Sequence, residues 1–395
     1  MKNNYKKNIS RNYRFAFLKD LDVTRGVWML YLASKGLNLF QIGLMETVYH
    51  ISSFLFEVPT GAVADIFGRK FSRSLGRMIS IISFLLMIYS KNVYIFAIGF
   101  VFTALSNNLE SGAGDALVYD SLKEIDEENK YMKVKGREEV IFQVASVFSL
   151  MIGGYIASMN YASVYKIAIV IALISFIQSL TFIEPTIGKV KKRDSLISTF
   201  TGQFKGSVEV IKNNKKILFL ICFTELFSTF ITTEFFYMQN LLKIKGYKEW
   251  QIGIVLAMGC LFAGIGAAKT HKIEKKLKEK GILISMSLLV TIGLWGMSIN
   301  GFEQYAFIIV SIADSILFVA ISDYLNKLIP SDKRATILSI QSMVFSVFMI
   351  LLFPLVGKIG DVYGLNISFL IIAIISTIIV LAIIKTLLGK SKEVE

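Results

Sequence analysis

The sequence has little that bends, bridges or coordinates. Four prolines in 395 residues exclude a proline-rich or disordered chain. Only two cysteines occur, Cys222 and Cys260, and both fall in apolar segments, so no disulfide framework is expected. The two histidines, His50 and His271, belong to different segments. No HExxH, CxxC pair or GxxxxGK[ST] occurs, so metal-dependent and ATP-driven mechanisms have no support and neither metal nor cofactor is expected. No nucleophile–base set stands out, which argues against an enzyme. Charge is scarce too: Asp, Glu, Lys and Arg make up 18%, against about 25% in soluble domains.

What is present is apolar length. Hydrophobic residues reach 54% and mean hydropathy is +0.59. A bilayer core takes about 20 apolar residues per helix, so this chain holds roughly twelve crossings and no large soluble domain. The runs fall at 14–34, 40–66, 71–90, 94–122, 138–159 and 162–183, then at 216–241, 249–268, 281–299, 303–326, 335–357 and 364–386. The expected fold is an all-α membrane protein with twelve transmembrane helices in two pseudo-symmetric six-helix bundles. Residues 1–184 form the first and 216–395 the second, with a cytoplasmic linker at 185–215. Lys2, Lys6, Lys7 and Arg11 precede the first run as in a signal peptide. With no small-residue cleavage site, and with Lys19, Asp22 and Arg25 interrupting, the run reads as a retained helix.

The net charge of +14 lies between apolar runs, which points to anionic headgroups rather than nucleic acid. About 32 Lys and Arg fall on the termini and even-numbered connections and about 7 on the odd-numbered ones. Both termini are therefore expected in the cytoplasm, with the protein in the inner (plasma) membrane. The pattern KGxxxxQIG occurs twice, from Lys35 to Gly43 and from Lys245 to Gly253. Glycine suits the turn between two helices, and Gln41 or Gln251 can close the first turn of the next one. A duplicated unit explains the recurrence.

After the second run come Gly61, Asp65, Gly68, Arg69 and Lys70, preceded by Glu57, Val58, Pro59 and Thr60. Physically, Gly61 lets helices approach closely, Asp65 can receive free helix-start amides, Gly68 permits a reversal, and Arg69 and Lys70 face water and headgroups. The spacing resembles the signature loop of the major facilitator superfamily, departing from it at Ile66, where a basic residue is usual. Stretches 111–122 and 329–336 look similar to the same superfamily. Gly357, Asp361 and Gly364 repeat the glycine and aspartate spacing on the opposite face, whereas 271–280 has lost it. The resemblance implies a transporter whose signature loop latches two halves in the outward-facing state, with Asp120 paired to Arg69.

Charges inside the bilayer are functional candidates by default. Asp22 and Arg25 lie near the middle of the first run, Glu110 of the fourth, Glu225 of the seventh and Asp314 of the tenth. At three-residue spacing Lys19, Asp22 and Arg25 share a helical face and can neutralise one another. Glu225 and Glu234 lie about 180° apart around a helix, so one should face away from any cavity; Asp314 and Asp323 stand in the same relation. Glu110, flanked by Asn107 and Asn108, is the expected proton-coupling carboxylate; a protonated Glu110 bonding between helices is the structural alternative. Together these features suggest a monomeric transporter in the lipid bilayer. It would export a small organic or drug-like solute by proton antiport. A proton-coupled nutrient symporter and a non-transporting receptor or partner protein are the alternatives.

Overall fold

A computed structural model describes residues 2–186, 208–330 and 334–389. Most of the linker expected at 185–215 and the turn at 331–333 lie outside the described residues. The helices are α1 (Lys2–Asp20), α2 (Trp28–Ser34), α3 (Leu39–Phe67), α4 (Arg69–Tyr89), α5 (Val93–Lys123), α6 (Tyr131–Ala157), α7 (Tyr161–Ser179), α8 (208–213), α9 (Lys215–Ile244), α10 (Glu249–Met297), α11 (Glu303–Leu328), α12 (Arg334–Tyr363) and α13 (Leu365–Gly389), with no strand among the described residues.

By length and composition nine helices among the described residues suit a membrane crossing. Helix α10 contains two of the passes. Its 49 residues would extend about 73 Å, over twice a bilayer core, and the backbone reverses at Lys278, where φ is 59°. Adding α3, whose acids Glu46, Glu57 and Asp65 lower its hydropathy, and the α1–α2 stretch gives an all-α membrane protein of twelve crossings.

The first crossing departs from the expected continuous helix. Helix α1 stops at Asp20, a non-helical turn follows, and α2 resumes at Trp28. The Asp22 carboxylate accepts the Thr24 N–H (3.0 Å) and hydroxyl (2.6 Å), a local bond that competes with helix continuation. The common face expected for Lys19, Asp22 and Arg25 is therefore lost. Lys19 pairs with Asp20 instead, and Arg25 donates to Ser146 and lies over the Phe142 ring.

The chain divides into two compact units. One comprises Met1–Leu37, Met45–Ser198 and Lys248–Ala257; the other comprises Asn38–Leu44, Thr199–Tyr247 and Met258–Glu395. In the first unit, hydroxyls and glycines bring α4 close to its neighbours. Ser72 donates to the Leu109 carbonyl (2.6 Å), Ser74 bonds Ser179 (2.7 Å), and a Cβ on Gly76 would stand 3.0 Å from the Ser106 carbonyl. In the second unit Gly266 gives α11 the same access, since a Cβ there would meet the Ser315 hydroxyl at 2.6 Å. Thr291 bonds Ser376 across α10 and α13.

The KGxxxxQIG repeats do equivalent work at the starts of α3 and α10. Gly36 and Gly246 both turn at positive φ, 89° and 88°. Gln41 accepts the Asn38 N–H and Gln251 the Lys248 N–H, closing the first turns of α3 and α10. Gly43 lies against the Pro354 backbone in the second unit, and Gly253 against Gly154 and Leu150 in the first.

Candidate functional site

At the junction of α3 and α4 the chain reverses at Gly68, with φ of 100°. The free amides that begin α4 are taken by Glu184: the Arg69 N–H donates to Oε1 and the Lys70 N–H to Oε2, each at 2.8 Å. A Cβ on Gly68 would meet this carboxyl at 2.8 Å, so glycine is required twice over. The Arg69 guanidinium reaches Asp120 on α5 at 3.0 Å. Asp65, Ile66 and Phe67 are exposed, Lys70 is half-buried, and a Cβ on Gly61 would meet open space, unlike the close helix approach the sequence suggests.

Deeper in the same unit Arg73 and Glu110 form a buried ion pair. Arg73 Nη2 donates to Glu110 Oε1 at 2.8 Å, and Nε lies 3.1 Å from both carboxylate oxygens. Nη1 donates to Asn12 Oδ1 at 2.9 Å, and the guanidinium lies 4.3 Å and 4.7 Å from the Phe15 and Phe182 ring centroids. The chain of bonds runs on from Asn12 to Glu138 and from Glu138 to Lys135, which also holds Asp115. The amides beside Glu110 in sequence turn elsewhere: Asn107 donates to the Tyr49 hydroxyl at 3.0 Å and Asn108 to the Ser53 carbonyl at 2.6 Å. The expected setting of Glu110 between two amides is thus replaced by an arginine from another helix, which gives a buried carboxylate its strongest neutralising partner.

The second unit contains a cavity of about 260 Å³ between α9, α11 and α12. Its walls include Glu225, Gln341, Phe318 and Phe345, with hydroxyls from Thr224, Ser322 and Ser342. Gln341 donates to Glu225 Oε1 at 2.6 Å, so a neutral amide rather than a base holds this acid. Glu225 is 7% exposed and Glu234 is fully buried. Only Glu225 lines this cavity; Glu234, nine residues on and about 180° around α9, is not among its walls, as the expected opposition of the two has it. Asp314 on α11 is within Coulombic range of both glutamates, while its sequence counterpart Asp323 is exposed and pairs with Lys327. Among the described residues no three His, Cys, Asp or Glu side chains converge as a metal site.

Known proteins share this architecture and sequence pattern. The family model of the Major Facilitator Superfamily matches residues 25–305. The chain belongs to the major facilitator superfamily. A Bacillus subtilis (strain 168) relative described as "Uncharacterized MFS-type transporter YxaM" is 26% identical over 392 residues, covering 96% of each chain. Among solved structures, nucleoside transporter NupG (D323A mutant) superposes with a TM-score of 0.78 at 12% identity, covering 97% of this chain and 98% of that one. The D-xylose-proton symporter gives 0.73 at 13% identity, covering 96% of each. At these identities the likeness is one of fold. The protein is a multi-pass transporter of the major facilitator type.

For this major facilitator chain, sequence reasoning missed Arg73, Glu184 and Gln341. Arg73 stood inside an apolar run and met the criterion that selected Glu110, a charge at membrane depth. Glu184 and Gln341 gave no such signal, because their roles depend on which distant helix start or carboxylate the fold brings to them.

Proposed function

We propose that the protein exports a small organic cation in exchange for protons. Its two halves, 1–184 and 216–395, alternate access to a central site, with residues 185–215 as the cytoplasmic connection. The observation that carries this reading is the cavity at Glu225. A carboxylate held only by an amide, set among two phenylalanine rings and three hydroxyls, suits a solute with one positive charge and an apolar body. The reading places a monomer in the plasma membrane with both termini in the cytoplasm, in line with the Lys and Arg bias of the connections. In it the cluster of Gly61, Asp65, Gly68, Arg69, Lys70 and Asp120 serves as the cytoplasmic latch, supported by the Arg69–Asp120 pair.

The test is transport by the purified protein in liposomes, with a pH gradient of either sign and a lipophilic cation such as tetraphenylphosphonium as probe. Antiport predicts uptake against an outwardly directed proton gradient, abolished when the gradient is collapsed. Uptake only when proton and solute move in the same direction would establish the symport alternative, and would direct attention to neutral solutes of the kinds named for the nucleoside and D-xylose carriers of this fold. No flux of any charged or neutral probe, with the folded state verified, would favour the receptor reading.

A further inference from the structure

Charge is spread unevenly over the connections between crossings. Two connections that follow an even-numbered crossing are rich in ionisable side chains: residues 123–139 between α5 and α6, in the first unit, and residues 269–280 inside α10, in the second. Residues 123–139 hold five bases against six acids, and several of them pair: Lys130 with Glu127, and Lys135 with Asp115 and Glu138. Residues 269–280 hold six lysines and one histidine against two acids. All six lysines, Lys269, Lys272, Lys275, Lys276, Lys278 and Lys280, are exposed. None of them forms an ion pair among the described residues. Glu279 is taken by Lys216 at the start of α9 (2.8 Å), and Glu274 is half-buried. The turn thus presents a cationic surface that the protein itself leaves uncompensated.

Depth identifies what this surface faces. The crossing stretches of α10 on either side of it, 250–268 and 281–297, carry no charge. Lys269 and Lys272 follow Ala268 by one and four residues, and Lys280 and Lys278 precede Gly281 by one and three. At about 1.5 Å per helical residue, these four start within about 6 Å of the apolar stretches. The headgroup layer is about 5–8 Å deep on each side of the hydrocarbon. Four of the six lysines therefore originate in the layer that contains the lipid phosphates, and their flexible stems let the ammonium groups settle at that level. Leu277, 40% exposed, adds an apolar side chain among them, and basic groups beside an apolar one are the combination that binds an anionic interface. Lys278 keeps its charge there although its φ of 59° is one that glycine adopts more easily. A soluble acidic protein would have to reach down into the headgroups to meet the same four lysines.

We propose that the 269–280 turn of α10 is a binding surface for the headgroups of anionic phospholipids, and that the 123–139 connection is not. The ammonium groups donate to phosphate oxygens and balance their charge, with no covalent step. Because the lysines are exposed, the attraction is screened by salt. Docking holds the reversal of α10 against the membrane surface and gives the second unit a dependence on lipid charge that the first unit lacks. The assignment is independent of the solute and of the coupling ion proposed above.

Native mass spectrometry of the full-length protein in detergent, titrated with phosphatidylglycerol or phosphatidylcholine, tests the surface. Wild type should prefer phosphatidylglycerol, and high salt should weaken the preference. The combined variant Lys269→Gln, Lys272→Gln, Lys278→Gln, Lys280→Gln should lose about tenfold or more in phosphatidylglycerol affinity, and arginine at the same four positions should retain it. Neutralising Lys123, Lys130, Lys133 and Arg137 with glutamine, in the first unit, should change it less than about twofold. In nanodiscs, amide exchange in peptides covering 269–280 should slow when phosphatidylglycerol replaces phosphatidylcholine, while peptides covering 123–139 keep their rates. Equal affinity in wild type and the 269–280 glutamine variant overturns the proposal. An equal loss in the 123–139 variant overturns it too, because the effect is then one of net charge. Displacement of the lipid by inorganic phosphate would make the turn a phosphate site, and displacement by polyglutamate a protein-docking site; either result rejects the lipid assignment. Should the fourfold variant not fold, the pairs Lys269→Gln, Lys272→Gln and Lys278→Gln, Lys280→Gln should each weaken binding about threefold, and no change in either pair overturns the proposal equally.

Discussion

Arg73 holds Glu110 by three hydrogen-bonding contacts of 2.8–3.1 Å while its guanidinium lies against the Phe15 and Phe182 rings. Both partners are buried, and neither can be discharged cheaply on its own. Glu110→Gln leaves Arg73 without a counter-charge and should destabilise the protein by about 3–5 kcal/mol. The double variant Arg73→Met, Glu110→Leu should recover much of that loss, because an apolar pair of similar volume avoids desolvating two ions. Thermal melts of the detergent-solubilised protein, single against double variant, measure the difference. A single variant as stable as wild type would mean the pair contributes nothing to folding.

Gly68 offers a sharper test of local geometry. Gly68→Ala meets a positive φ and also the carboxyl of Glu184, whereas Gly36→Ala meets the same backbone problem with open space around it. The strain common to both is about 1–2 kcal/mol. Melting temperatures should therefore fall in both variants and further in Gly68→Ala. Equal losses would show that Glu184 moves aside.

Asp361 receives the Leu39 and Phe40 amides at 2.9 Å each, and so satisfies two of the free donors that begin α3. Asp361→Ala should cost about 1 kcal/mol. Its clearest signature is local: amide hydrogen exchange in a peptide covering residues 35–44 should accelerate, while peptides from α5 keep their wild-type rates.

Glu225→Gln should raise the KM for a cationic solute by tenfold or more, since losing a charged hydrogen-bond partner costs about 1.5–3 kcal/mol. Transport of a neutral solute of similar size should change little. Initial-rate measurements in liposomes distinguish the two; an equal effect on both solutes would make Glu225 a structural residue.

The crossings were legible in the sequence because lipid imposes one simple rule, a long apolar run per pass, and because KGxxxxQIG marked the duplicated helix starts. The Gly68 reversal was legible from glycine alone. Less legible was anything that depends on tertiary partnership. Glu110 was rightly noticed as a buried acid, but its neighbours in sequence, Asn107 and Asn108, bond Tyr49 and Ser53, and its true partner comes from α4. Helical phase separated Glu225 from Glu234 correctly in angle, yet gave no information about what packs on either side of α9. The break after Asp20 was hidden because Asp22 and Thr24 compete with a helix only through a side-chain bond that composition does not reveal.

The reversal at Lys278 has a practical consequence. It is an exposed lysine in a left-handed backbone conformation, at the point where two crossings meet without a conventional loop. A protease specific for lysine can cut there only from the side of the membrane on which this turn emerges. Nicking of sealed vesicles of known sidedness, read by fragment size, therefore reports directly which way up the whole chain is threaded.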